Sequence, residues 1–283
     1  MKNIPENIDE LISLALKEDI GVGDITSLAC IDSLHKGKGM FVAKQSGVLC
    51  GIHIAKRVFQ MLDEKVKFTL SKEDGANVKK GTVIAEARGN MHTLLAGERL
   101  ALNFLQRMSG IATLTSEYVK QTKGTRAVIL DTRKTAPLLR ELDKYAVRTG
   151  GGENLRMRLD DMVLIKDNHI AAAGGVKQAL ERCESYIKEW KRSKVKIEIE
   201  TTSIAQVKEV LAIGGVDRIM LDNYSLAEIR NAVKLVARRV PLEVSGGVSL
   251  KTVRAIAKTG VECISVGELT HSPRALDISF EVE

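Results

Sequence analysis

Six short, aliphatic and β-branched stretches recur in the second half of the chain, separated by helix-like segments: Ala127–Asp131, Met162–Lys166, Val195–Glu200, Arg218–Asp222, Leu242–Ser245 and Cys263–Val266. Strands alternating with helices imply parallel strands joined by helical crossovers. Each stretch runs into charged, hydroxyl or glycine residues: Asp131-Thr-Arg-Lys-Thr135, Lys166-Asp-Asn-His169, Glu198-Ile-Glu200, Leu221-Asp-Asn223, Ser245-Gly-Gly247 and Ser265-Val-Gly267. In a βα barrel the C-terminal strand ends converge on one mouth, where the chemistry is placed. Six strands are too few for the eight-stranded form, and an open sheet with one switch point is the rival architecture. Polar residues after all six strands favour a shortened parallel α/β barrel.

The pattern before residue 111 differs. Ile8, Leu11, Ile12, Leu14, Ala15 and Leu16 fall mostly on one helical face, and Gly21 and Gly23 end that helix. Gly37–Gly51 and Val66–Gly89 read as strands with glycine turns at Lys72-Glu-Asp-Gly75 and Lys79-Lys80-Gly81, around a helix over Ile52–Leu62. Thr93–Met108 carries apolar residues at helical spacing, with Ser109-Gly110 as its stop. The fold class is therefore α/β, divided into a small α+β domain over 1–110 and the barrel over 111–274. The alternating stretch Ala275–Glu283 is expected to be a strand returning to the first domain.

Aromatics make up only 4% of the 283 residues, so the core is expected to rest on Leu, Ile, Val, Ala and Met. The net charge of +7 favours anionic partners. Basic residues cluster most densely at Lys188, Lys191, Arg192, Lys194 and Lys196 beside Trp190, which reads as a solvated helix end rather than a nucleic-acid surface. Cys30, Cys50, Cys183 and Cys263 stand far apart without metal or disulfide spacing, which fits a reducing cytoplasm. Met1–Glu6 lacks the apolar core of a signal peptide, and no apolar run is long enough for a membrane span.

The chemistry-bearing residues follow the strands. Arg133 offers a planar fork for a carboxylate or phosphate and Lys134 a compact charge beside Thr132. Lys166 ends the second strand, with Gly150-Gly-Gly152 and Arg156 between the two. Such a loop alone is usually a charged rim. Several cations leaning into one mouth point instead to a dianion. Glu200 and Asp222 follow the third and fourth strands, suited to salt bridges, ribose hydroxyls or Mg²⁺. Ser245, Gly246 and Gly247, then Ser265 and Gly267, follow the last two strands, where barrels build phosphate sites from backbone amides. His169 reads as a structural hydrogen-bonder and is not assigned proton transfer. His271 is expected to brace the phosphate turn. No Ser/His/Asp or Cys/His nucleophile pairing is present, so catalysis would rest on electrostatics and positioning.

Taken in order, these motifs resemble the quinolinate phosphoribosyltransferase family over almost the whole chain. The likeness runs through Lys17-Glu-Asp19 with Gly23-Asp24, Glu98-Arg99 with Ala101-Leu102-Asn103, Ser109-Gly-Ile-Ala-Thr113, Asp131–Thr135, Lys144-Tyr-Ala-Val147, Gly150–Gly152, Ile165–His169, Leu221-Asp-Asn223, Ser245–Gly247 and Ser265–Ser272. The resemblance implies an N-terminal sandwich domain, a six- or seven-stranded barrel and phosphoribosyl transfer to quinolinate with decarboxylation. It also implies a homodimer with shared active sites, higher homo-oligomers remaining open. By matching motif, Arg133, Lys134, Arg156 and Lys166 would grip the quinolinate carboxylates, and Arg99 would reach in from the neighbouring subunit. Glu200 and Asp222 would serve the ribose hydroxyls and Mg²⁺ of phosphoribosyl pyrophosphate, and the turns at Ser245–Gly247 and Gly267 its 5′-phosphate. Lys134, Lys166, Glu200 and Asp222 are the expected catalytic set.

One departure matters. The family has Asn-His-Arg where this chain has Asn154-Leu155-Arg156, so a donor in the acid-binding set is missing and Arg158 is the expected substitute. Leu138 stands where the family has glycine, a change expected to be minor. The alternatives are a paralogous transferase acting on another aromatic acid or base, and a polyanion binder using the +7 charge.

Overall fold

The computed structural model describes residues 8–189 and 195–283. Met1–Glu6 and the Trp190–Lys194 part of the basic cluster lie outside the described residues. In chain order the elements are α1 (Ile8–Ile20), α2 (Ile25–Cys30), β1 (Lys36–Ala43), β2 (Gly47–Val48), α3 (Ile52–Leu62), β3 (Lys67–Leu70), β4 (Asn77–Val78), β5 (Val83–Asn90), α4 (Met91–Thr122), β6 (Val128–Leu130), α5 (Arg140–Thr149) and β7 (Val163–Ile165). They continue as α6 (Asp167–Ala173), α7 (Val176–Glu189), β8 (Ile197–Thr201), α8 (Ile204–Ile213), β9 (Arg218–Asp222), α9 (Leu226–Val236), β10 (Leu242–Ser245), α10 (Val253–Ala257), β11 (Cys263–Ser265), α11 (Glu268–His271) and β12 (Ile278–Val282).

The chain divides into two units, one of Met1–Ser116, Ala136–Gly151 and Ser272–Glu283, the other of Glu117–Thr135 and Gly152–His271. The first is built on a four-stranded antiparallel sheet in the order β12-β1-β5-β3. Phe41 pairs with Phe280 across β1 and β12. Period-2 alternation puts Phe41, Phe68 and Phe280 on one face, where they meet Phe59 of α3 with ring centroids 4.8 to 6.0 Å apart. Four of the chain's five phenylalanines thus form one cluster, so this core is aromatic as well as aliphatic despite the sparse composition.

The stop expected at Ser109-Gly110 does not occur. α4 runs unbroken from Met91 to Thr122. A Cβ on Gly110 would stand 2.1 Å from the Arg274 carbonyl oxygen, so the glycine admits a close backbone approach. Ser109 Oγ accepts from the Cys50 amide at 2.9 Å, tying the helix to the segment before α3.

The second unit carries a six-stranded parallel sheet in the order β6-β11-β10-β9-β8-β7 among the described residues. The first strand lies beside the last, which is the cyclic order of a barrel rather than of an open doubly wound sheet. Hydrogen bonding is open only between β6 and β7. There Glu153 bridges in parallel to Leu130, and Arg156 Nη1 donates to the Met162 carbonyl at 3.2 Å just before β7. The segment that carries Arg156 therefore spans the seam, its backbone on β6 and its guanidinium on β7. No helix among the described residues is long and apolar enough to cross a membrane.

Candidate active site

The interior of the barrel is polar. Register places Glu198 opposite Arg218 on β8 and β9, and Glu243 opposite Cys263 on β10 and β11. Arg218 Nη1 lies 2.7 Å from Glu243 and 3.6 Å from Glu198, while Ser265 Oγ donates to Glu243 Oε1 at 2.5 Å. Both glutamates are fully buried, and neither Glu198 oxygen has a hydrogen-bond partner among the described residues. Burial, with Glu243 as a like-charged neighbour, pushes the Glu198 carboxyl well above the usual range. The layers of Val, Ile and Leu usual inside such barrels are replaced here by a charged plug.

Period 2 carries the same face upward to the strand ends. Glu200, two residues beyond Glu198, is 7% exposed and its Oε2 lies 2.9 Å from Lys166 Nζ. The Asp222 carboxylate accepts from Asn223 Nδ2 at 2.8 Å, and Asp222 is in register with Ser245. The next turn is shaped by sterics. Gly246 holds a φ of +86°, and a Cβ there would stand 2.1 Å from Asn223 Oδ1. Only glycine fits a backbone that must turn in the left-handed region and pass this close.

Beyond β6, Lys134 donates its amide to Thr132 Oγ1 at 3.0 Å, closing a tight loop. Thr270 Oγ1 donates to the Lys134 carbonyl at 2.8 Å, and a Cβ on Gly267 would meet both the His271 ring and Lys134 Cδ within 3.3 Å. The Thr132–Lys134 loop, Gly267 and His271 therefore stand together. Arg133 Nε is buried without a hydrogen-bond partner among the described residues. Arg156 lies close enough that burial and the Arg133 charge lower its pKa, opposed by Glu198 and Asp161. Asp131 fixes this segment: it is fully buried and accepts from the Leu155 amide at 3.0 Å and from Asn154 Nδ2.

The structure thus brings Thr132, Lys134 and Gly267 together, Arg133 near Arg156, Lys166 with Glu200, and Asp222 with Ser245 and Gly246. Two of the expected residues have partners of their own. The Ser265 hydroxyl is committed to Glu243 and the residue is 4% exposed, so it belongs to the buried plug. Arg158, at 73% side-chain exposure, pairs with Asp160 at 3.3 Å. Arg99 lies on α4 in the other unit, 60% exposed and 3.8 Å from Glu98. Sequence reasoning left Asp131, Arg218 and Glu243 without a role, and the period-2 pairing of Glu198 with Glu200 was the signal for the plug.

The sequence of features matches known proteins throughout. Residues 24–109 match the model of the quinolinate phosphoribosyl transferase N-terminal domain and residues 111–281 that of its C-terminal domain. The chain belongs to the quinolinate phosphoribosyl transferase family. It is 44% identical to quinolinate phosphoribosyltransferase (decarboxylating) 1 of Nicotiana glauca over 288 residues, 96% of this chain and 81% of that one. Among solved structures, NadC from Streptococcus pyogenes superposes with a TM-score of 0.94 at 39% identity over 100% of this chain and 99% of that chain. Nicotinate-nucleotide pyrophosphorylase from Ehrlichia chaffeensis gives 0.93 at 43% identity, covering both chains fully. Against the family pattern, Leu138 holds a φ of 64° while 84% exposed. That is the region where glycine is free of steric cost, so leucine there carries about 1 kcal/mol of backbone strain.

Proposed function

We propose that this chain is a decarboxylating quinolinate phosphoribosyltransferase, forming nicotinate mononucleotide, pyrophosphate and CO₂ from quinolinate and phosphoribosyl pyrophosphate. The observation that carries the reading is the Arg133–Arg156 pair: two cations close enough for one to lower the pKa of the other, with a buried Arg133 N–H that has no hydrogen-bond partner among the described residues. A dianionic acid answers both the repulsion and the missing bond. Each well-formed charge-assisted hydrogen bond is worth roughly 1.5–3 kcal/mol, so Arg133, Arg156, Lys134 and Lys166 together can offset desolvation of two carboxylates.

The chemistry follows from where charge develops. The C1–O bond to pyrophosphate breaks as the pyridine nitrogen bonds to C1, through a centre with oxocarbenium character. Glu200 and Asp222 hold the ribose hydroxyls and orient that carbon against the ring. The backbone turns at Ser245–Gly247 and Gly267 cradle the 5′-phosphate. When the adjacent carboxylate departs as CO₂, the bonding pair stays on the ring carbon, where the neighbouring cationic nitrogen stabilises it, and that carbon then takes up a proton. Lys134 and Lys166 offset the negative charge of the acid. Positioning and preorganised charge do the work, without a covalent enzyme intermediate.

The hard oxygen donors of Glu200 and Asp222 fit Mg²⁺, and no group of three or more such ligands occurs among the described residues. Mg²⁺ would therefore be held by these carboxylates together with substrate oxygens, and when bound it neutralises pyrophosphate charge. A cytoplasmic homodimer is the assembly this reading includes. The test is calorimetric titration with quinolinate and with nicotinate, then a turnover assay with phosphoribosyl pyrophosphate and Mg²⁺. Quinolinate-selective binding with release of CO₂ and nicotinate mononucleotide is expected. Absence of both would mean that Leu155 marks another acid as substrate.

A further inference from the structure

Lys166 is tied at both its backbone and its ammonium. β7 stops at Ile165, Lys166 adopts extended backbone (φ −109°, ψ 169°), and α6 begins at Asp167. The strand ladder to β8 ends at the Ile165–Ile199 pair, so the Lys166 amide falls beyond it. That amide donates instead to His169 Nδ1 at 2.9 Å. At the other end, Nζ lies 2.9 Å from Glu200 Oε2.

His169 occupies the third position of the helix, where Glu or Gln normally reaches back to the N-cap amide in a capping box. An imidazole does the same only if Nδ1 is the acceptor, which puts the ring hydrogen of the neutral side chain on Nε2. The consequence concerns reach. A lysine carries its ammonium on a flexible four-carbon stem. Its ammonium is delivered to one place only when the backbone from which it springs is fixed. Elsewhere at this mouth, Asp131 does that for Arg156 through the Leu155 amide.

We propose that His169 is a positioning residue for Lys166: its Nδ1 fixes the strand-end backbone so that the ammonium stands at the Glu200 carboxylate, where an anionic substrate meets it. The kinetic side of this claim rests on the reading of the site as a quinolinate phosphoribosyltransferase. The bond itself does not.

The experiment uses the full chain with His169→Ala, which removes the acceptor, and His169→Gln, which restores one by the ordinary capping-box geometry. Amide hydrogen exchange at Lys166 is read by NMR, together with kcat and KM for each substrate. Protection at Lys166 is expected in the wild type and in His169→Gln, with at least tenfold faster exchange in His169→Ala. In parallel, kcat/KM for quinolinate should fall at least tenfold in His169→Ala and return to within threefold in His169→Gln, with KM for phosphoribosyl pyrophosphate within twofold throughout. A merely structural role would not give rescue confined to one substrate. Unchanged Lys166 exchange in His169→Ala overturns the proposal. So does unchanged kcat/KM in a His169→Ala enzyme whose Lys166 amide exchanges freely, or a His169→Gln enzyme no better than His169→Ala. If the wild type formed no product from quinolinate, the assigned reaction would fall, while exchange would still decide whether His169 holds Lys166.

Discussion

Lys166 and Glu200, at the ends of adjacent parallel strands, form an ion pair of 2.9 Å in which the ammonium is 46% exposed and the carboxylate 8%. A pair this open to water contributes little to stability, on the order of 1 kcal/mol or less. On the proposed reading, its use lies in holding a cation and an anion side by side where an acid and a ribose meet. Lys166→Ala should therefore lower kcat/KM for quinolinate by about 10² or more, as for loss of a positioned charge, while shifting Tm by no more than about 4 °C. Steady-state kinetics and thermal melting check this, and near-normal turnover would remove Lys166 from the site.

Arg133 presents the opposite balance. Its buried Nε lacks a partner among the described residues, and on the proposed reading substrate supplies that hydrogen bond. Arg133→Ala removes both that liability and the contact. Tm should stay within about 2 °C of the wild type, while turnover drops below about one thousandth as an oriented charge-assisted fork is lost. Comparable activity in the variant would show that the Thr132–Lys134 loop does not touch the acid.

The parts of this architecture that were legible in the sequence are those set by local period. β9 and β10 run over Arg218–Asp222 and Leu242–Ser245, because buried parallel strands read as apolar runs bounded by a change of residue type. Ser109-Gly110 misled because glycine stops a helix only when nothing packs on it. Its partner, the Arg274 carbonyl, lies far along the chain. The phenylalanine cluster is likewise drawn from four distant segments that no local window joins. At the site, residue types after strands pointed to the mouth, but not to which hydroxyls turn inward. Ser265 faces Glu243 because strand register, not sequence spacing, decides that contact.

The charged plug makes a stability prediction with a definite sign. Glu198 has an ordinary value of 4.5 and is pushed up to about 9 by burial and by Glu243. The folded state therefore binds this proton more tightly than the unfolded state, and the associated stability is fully present below about pH 4.5 and is lost as pH rises toward 9. Glu198→Gln keeps the shape without the ionisation. Its Tm should exceed that of the wild type by at least about 2 °C at pH 8, with the advantage shrinking toward pH 5. Melting curves across that range check it, and a Gln variant less stable at pH 8 than at pH 5, relative to wild type, would contradict the assignment.

Metal dependence should be conditional on substrate. With only Glu200 and Asp222 as donors, and Mg²⁺ reluctant to shed water, the protein alone should bind the ion weakly, with Kd on the order of millimolar. Pyrophosphate supplies the missing oxygens, so calorimetry should show Mg²⁺ binding at least tenfold tighter in its presence. Excess chelator should abolish turnover reversibly. Full rate in chelator would exclude the Glu200–Asp222 metal assignment.

The proposed shared site predicts complementation between inactive subunits. Arg99 is 60% exposed and its nearest acid, Glu98, is 3.8 Å away, so the guanidinium is held only loosely by its own surroundings. If each barrel takes Arg99 from its neighbour, Arg99→Ala and Lys166→Ala enzymes are each inactive, but a hybrid dimer contains one intact site. The barrel of the Arg99→Ala subunit keeps its lysine and receives the arginine of the other. Random reassortment makes half the dimers hybrid, each with one working site of two, so about a quarter of wild-type turnover should return. Differently tagged subunits allow the hybrids to be purified and counted. Inactive hybrids would place Arg99 outside the site, whereas recovery near one quarter requires that two chains build each active centre.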